Sequence, residues 1–441
     1  MKSQACLRDF MRYTTLSVLG TLGVSCYILA DTYFISKGPG TDGLTALNLA
    51  IPVYNFIHGS GLMLGMGGAT RFSVMGSRGD KKSGDEIFTN TIYLAILFSV
   101  VFVLAGAFLA RSLALLLGAD SRVFEMTATY LQWLLLFAPA FILNDVFLCF
   151  IRNDGGPRLS MAAMLIGNFS NIILDYIFIF PLHMGMLGAI LATGLSPVIS
   201  IIIMSSFWLK RKNTFHLVKV KWKRYMIGQE LSLGLPSLLA QVSTGVVMII
   251  FNMIILELSG NTGVAAYGVT ANIALVVVAI YTGIAQGIQP LVSNFYGMGD
   301  GRQIHAVFRY AMITVLAVSL AIYVFLFVFA QPITAVFNSE NNKALQQISV
   351  TGLRLYFLSA AFTGYNIVLA IFFTSIEKAM PAHILSVLRG FVLIIPMAFL
   401  LSALWGMTGV WLACPLTELL VAVTGYILLR RSNKSGAVLK D

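Results

Sequence analysis

Residues 210–224 read Lys210-Arg211-Lys212-Asn213-Thr214-Phe215-His216-Leu217-Val218-Lys219-Val220-Lys221-Trp222-Lys223-Arg224, with seven Lys or Arg among fifteen positions. The rest of the chain is the reverse of this stretch. Over 441 residues, 58% are hydrophobic and 11% charged, and the mean hydropathy is +0.85. A soluble domain carries about 25% charged residues, so this chain cannot cover its surface in water. A soluble enzyme, a nucleic-acid-binding domain, a disordered scaffold and a secreted disulfide scaffold are excluded. The net charge of +11 therefore concerns orientation in a bilayer rather than a nucleic-acid partner. The four cysteines (Cys6, Cys26, Cys149, Cys414) show no metal-binding spacing and read as small helix residues.

A spanning helix needs about 20 mostly apolar residues. Six such stretches precede the basic segment, near 13–36, 46–70, 87–110, 123–150, 158–181 and 187–209. Six follow it, near 230–257, 264–294, 304–330, 347–374, 380–402 and 406–429. The fold expected is all-α and integral to the membrane, with lobes at 1–209 and 230–441 joined by a basic cytoplasmic linker at 210–229. With the N-terminus inside, 23 of the 29 Lys and Arg fall on the cytoplasmic side, four outside (Lys37, Arg111, Arg122, Lys343) and two within spans (Arg354, Arg389). That bias places both termini in the cytoplasm. The first span is too long for the core of a cleavable signal peptide.

The halves repeat. Gly43-Leu44-Thr45-Ala46 matches Gly263-Val264-Ala265-Ala266, and Gly79-Asp80 matches Gly299-Asp300, both 220 residues on. Gly185-Met186-Leu187-Gly188-Ala189 matches Gly406-Met407-Thr408-Gly409-Val410 at 221. Six spans per repeat keep both halves in the same orientation, so a pseudo-two-fold axis along the membrane normal is expected, with a cavity between the lobes. This is the layout of a transporter, not of an enzyme.

Function should sit where the repeats diverge. Five acids fall inside the spans: Asp31, Asp145, Asp175, Glu257 and Glu418. An intramembrane acid costs roughly 2.5–3.5 kcal/mol on the insertion scale and is a functional candidate by default. Asp31 and Asp175 share one depth below the outer interface, with Asn171 one turn from Asp175 and with Tyr130 and Thr193. The second half lacks this layer: at the repeat offset Asp31 becomes Asn252, Asp175 becomes Pro396 and Thr193 becomes Cys414. Such oxygens suit a small hard cation, or a proton held between carboxylates. The competing reading is an ordinary hydrogen bond between helices. Glu257 reaches water, Asp145 lies near Arg152, His58 reads as an interior histidine, and Glu418 is a candidate for the cavity wall.

Against this background the chain resembles the multidrug and toxic compound extrusion (MATE) family. The matching stretches are Asp31-Thr32-Tyr33-Phe34-Ile35-Ser36 followed by Pro52, Asn171-Ile172-Ile173-Leu174-Asp175, Gly283-Ile284-Ala285-Gln286-Gly287-Ile288-Gln289-Pro290 and Gly406-Met407-Thr408-Gly409-Val410-Trp411. The acid pair looks like the DinF-like branch, near the MepA-type exporters, which is associated with cation binding at the positions matched by Asp31, Tyr130, Asn171, Asp175 and Thr193. The NorM-like branch has acids where this chain has Gln241 and Asn366, which departs from a second-lobe site.

The resemblance implies export of amphipathic, often cationic drugs against Na+ or H+, with Asp31, Asn171, Asp175 and Thr193 as the donor set for Na+. Gln286, Gln289, Gln241, Asn366 and Glu418 are the candidates for the drug cavity. The expected partners are small-molecule drugs and organic cations, with membrane lipid around a monomer and no cofactor beyond the coupling ion. A lipid-linked oligosaccharide flippase of the same superfamily is the alternative, but it needs several cavity Lys or Arg. No GxxxxGK[ST] segment is present, so an ion gradient must supply the energy.

Overall fold

The computed structural model describes residues 2–220, 224–338 and 342–434; Lys221 and Lys223 of the basic segment, and Asp441, lie outside the described residues. Among the described residues every regular element is a helix. The first half contains Lys2–Lys37, Gly40–Ser77, Lys81–Leu116, the bent pair Phe124–Leu136 and Ala138–Asn153, Pro157–Ile179 and Gly185–Leu209, which are spans one to six. Spans seven and eight are the two legs of Arg224–Gly297, and span nine is Gly301–Val328. Span ten is Lys343–Ser375, preceded by the short helix Ala330–Phe337, and spans eleven and twelve are the legs of Ala379–Asn433. The chain is thus a twelve-span, all-α, multi-pass membrane protein.

By length and composition alone, eight helices qualify as spans, or nine with the bent pair. Two of the eight each hold two spans, because Gly260 (φ +60°) and Gly406 (φ +56°) turn the chain within a single residue. Gly40–Ser77 is not among them, since it carries Asn48, Asn55, His58 and a run of glycines. The bend of 46° in span four lies at Phe137, where Pro139 gives no N–H to the preceding turn. Span one begins at Lys2 rather than near 13, because Lys2, Arg8 and Arg12 end the apolar pattern without ending the helix.

The repeat is written into the turns. Gly185 and Gly406 share φ +56°, and Gly79 and Gly299 have φ +83° and +71°. These left-handed values are strained for residues with a Cβ, which is why the glycines recur. After the latter pair, Asp80 and Asp300 cap the next helices by accepting from the N–H of Ser83 and Gln303.

The compact units are Leu19–Val242, and Met1–Val18 with Ser243–Asp441, so both cuts fall inside helices rather than in the basic segment. In the first unit, residues 213–218 of that segment form a strap. Asp154 accepts from the Thr214 N–H at 2.7 Å, Asp85 from the His216 N–H at 2.7 Å, and the Thr89 hydroxyl from the Val218 N–H at 3.0 Å. Phe215 is fully buried among Phe72, Phe88, Phe150, Phe207 and Trp208. The segment is therefore packed structure as well as a patch of charge.

Candidate functional site

Asp31, near the end of span one, is 6% exposed, and Asp175, near the end of span five, is fully buried. Their carboxyl groups lie beside each other, so that charging both would set two like charges side by side. One oxygen of each, Asp31 Oδ1 and Asp175 Oδ1, has no partner among the described residues. Asn171 is also fully buried. Its carboxamide, turned with the nitrogen toward the acid, donates from Nδ2 to Asp175 Oδ2 (3.1 Å) while Oδ1 accepts from the Thr193 N–H (3.2 Å). The Tyr130 hydroxyl lies beside Thr193 and both carboxylates. One turn further along span six, Pro197 has no N–H for the Thr193 carbonyl, which adds a backbone oxygen to the layer. The five sequence candidates from four spans therefore meet at one place.

The other buried acids differ in one respect. Asp145 Oδ2 lies 2.8 Å from His58 Nδ1. Glu418 Oε1 lies 2.6 Å from Arg389 Nε, while its Oε2 accepts from Asn366 Nδ2 at 2.7 Å. Glu230 accepts from the Thr91 hydroxyl at 3.3 Å and sits in the field of Arg71. Only Asp31 and Asp175 face no basic side chain among the described residues. Burying charge without a counter-charge is costly, so a proton or a cation must complete this pair. The two orphaned oxygens and the hard neutral oxygens around them fit either. Among the described residues no three His, Cys, Asp or Glu side chains converge on one point, so a site for a divalent ion rich in charged ligands is absent there.

The residues expected in the drug cavity scatter. Gln289 is fully buried and donates to the Ser293 hydroxyl at 3.4 Å, and Gln286 is half-buried three residues earlier. Gln241 is half-buried on span seven, next to Gly59. Asn366 and Glu418 do meet, but in an ion-paired cluster with Arg389. Arg354, the other intramembrane arginine, donates to the Phe327 carbonyl (3.3 Å) and lies over the Phe327 ring. Sequence reading did not identify Glu230 as an intramembrane acid. It stands first in the predicted seventh span, where hydropathy cannot tell a boundary charge from a buried one, yet it is 1% exposed.

A two-lobe helical membrane protein with an unneutralised acid pair in one lobe defines a class, and comparison with known proteins supplies the family. The MatE family profile matches residues 17–177 and 236–400, so the chain belongs to the MatE family of transporters and is not an enzyme. Among curated relatives, the multidrug export protein MepA of Staphylococcus saprophyticus subsp. saprophyticus is 25% identical over 431 residues, covering 97% of this chain and 94% of the relative. MepA of Staphylococcus aureus is 24% identical, covering 96% and 93%. Among solved structures, the outward-facing conformation of a multidrug resistance MATE family transporter superposes with a TM-score of 0.91 at 24% identity, covering 97% of this chain and 96% of that one. A MOP superfamily transporter from Pyrococcus furiosus gives a TM-score of 0.88 at 24% identity, covering 96% and 95%.

Proposed function

We propose that this protein is a secondary active multidrug exporter of the cell membrane that moves amphipathic, often cationic drugs outward in exchange for inward Na+ or H+. The observation that carries this reading is the buried, adjacent Asp31–Asp175 pair, the buried acids that lack a basic partner among the described residues. The names of the full-length relatives, both multidrug export proteins, supply the substrate class. In this reading Asp31, Asn171, Asp175, Thr193 and Tyr130 form the coupling site, and Na+ would use the first four.

The lobes, 1–209 and 230–441, alternate access about the linker 210–229, with both termini in the cytoplasm. The working unit is a monomer in lipid. An ion arriving from outside neutralises the pair and lets spans one and five repack. Drug and ion then need only favour opposite states by a few kcal/mol. The flippase alternative loses ground, because both intramembrane arginines are already engaged, Arg389 by Glu418 and Arg354 by Phe327.

Cells expressing the protein should accumulate less ethidium than control cells, and an ionophore that collapses the gradients should abolish the difference. Accumulation indifferent to expression and ionophore would overturn the reading.

A further inference from the structure

Inside the first unit lies a cavity of about 70 Å³, lined among others by Tyr27, Tyr54, His58, Asn144, Asp145 and Asn168. Of the coupling layer it touches Thr193 alone. One water needs about 10–15 Å³ of such volume, so the chamber has room for several. Three polar atoms on its wall, Asn144 Oδ1, Asn168 Nδ2 and Ser200 Oγ, are buried without a protein partner among the described residues. Water entering the chamber would satisfy such groups.

A ladder of polar side chains runs beside the chamber. Tyr27 lies one turn from Asp31 on span one, and its hydroxyl is 2.6 Å from that of Tyr54. Tyr54 stacks on His58, one turn further along span two (ring centroids 5.9 Å apart), and His58 Nδ1 lies 2.8 Å from Asp145 Oδ2. From the helices packed around it, the titratable or charged groups near His58 are Asp145 and beyond it Arg152 on span four, Tyr54 on its own helix, and Tyr27 and Asp31 on span one.

The second unit carries equivalents of three residues that line this chamber. The helix end at Asp154 and that at Ile376 carry the same closing bonds, to the Phe150 and Phe372 carbonyls, which sets an offset of 222 there. Asn366 then corresponds to Asn144, while at 221 Arg389 and Glu418 correspond to Asn168 and Pro197. All three first-unit positions line the chamber. In the second unit the equivalent residues are one bonded cluster, the Arg389 guanidinium held by Glu418 and flanked by Asn366. The same scaffold position thus holds a tethered cation against a carboxylate in one repeat, and open space beside a His–Asp pair in the other.

We propose that the chamber is a second, inner protonation site, with His58 as the proton acceptor and Asp145 as its counter-ion. This rests on the reading that the protein is a cation-coupled exporter with its coupling site at the Asp31–Asp175 pair. A proton entering the chamber travels through water there and the Tyr27–Tyr54 hydroxyls to a ring nitrogen of His58. The imidazolium is held by Asp145 until the proton passes on and His58 returns to neutral. No other bond is made or broken.

The test uses the full chain in proteoliposomes, with ethidium efflux driven by an imposed pH gradient and normalised to reconstituted protein. His58→Gln and Asp145→Asn should each slow gradient-driven efflux about tenfold or more, while ethidium affinity in detergent at fixed pH stays within about twofold of wild type, a split that a merely structural role does not produce. Asp175→Asn is the reference. If it retains efflux, the coupling reading itself fails. If it loses efflux while both His58→Gln and Asp145→Asn keep the wild-type rate and pH profile, only the inner site is wrong. A variant that fails to assemble leaves the other of the two to decide.

Discussion

Asp31, Asp145, Asp175, Glu230 and Glu418 are all buried, and what distinguishes them is the residue opposite. His58, Arg71 and Arg389 are the basic side chains beside three of them, while Asp31 and Asp175 have each other. By contrast, the two positions where a second-lobe site would need acids, Gln241 and Asn366, are amides. Gln241→Ala and Asn366→Ala should therefore leave efflux dependent on the gradient, as read by adding ionophore during ethidium efflux. Loss of that dependence in a correctly inserted variant would move the coupling site. Asn366→Ala carries a separate cost, because Glu418 Oε2 loses its 2.7 Å donor. The thermal midpoint in detergent should fall for this variant and hold for Gln241→Ala. The acid layer was legible in the sequence because depth can be counted along a helix. The pairings His58–Asp145 and Arg389–Glu418 were not, because they depend on how helices are rotated about their axes, which hydropathy does not encode.

At the scale of elements, close packing sets the tolerances. A Cβ on Gly67 would come within 2.0 Å of the Glu230 carbonyl, and one on Gly234 within 1.8 Å of the Met63 carbonyl. Spans two and seven therefore touch backbone to backbone within the first unit, as small residues allow in membranes. Gly67→Ala should destabilise by about 1–3 kcal/mol, seen as a lower midpoint in detergent; an unchanged midpoint would contradict the contact. Arg389 sits on the π-helical turn Leu388–Val392, a bulge that aims it at Glu418. Arg389→Met should cost about 3–5 kcal/mol by leaving a buried charge alone, and adding Glu418→Gln should recover most of it. If the double variant is no more stable than the single one, the pair is not what holds these helices.

The Asp80 cap is sensitive to acid. The Ser83 bonds hold the Asp80 carboxyl below its usual range, so its support for the helix is present above the unfolded value and is lost as pH falls through the folded one. Hydrogen exchange at the Ser83 amide, corrected for its intrinsic rate, should lose protection in that acid range and hold at neutral pH.

For the whole molecule, the basic segment and the repeated glycine motifs were enough to divide the chain into six and six spans. What they missed was the way spans share helices. Hydropathy counts loops, but Gly260 and Gly406 turn the chain without one, and the charged start of span one stays helical. The bias of Lys and Arg predicts cytoplasmic termini, so a reporter fused after Asp441 that works only outside the cytoplasm should stay silent, and a strong signal would break the twelve-span orientation. The central claim is that Asp31 and Asp175 form the exchangeable cation site. It is tested most directly by ethidium efflux from proteoliposomes under separately imposed Na+ and pH gradients, comparing wild type with Asp175→Asn. The account predicts that at least one gradient drives efflux by wild type and that neither drives it in Asp175→Asn, at equal amounts of folded protein. Gradient-driven efflux at the wild-type rate in Asp175→Asn would contradict it.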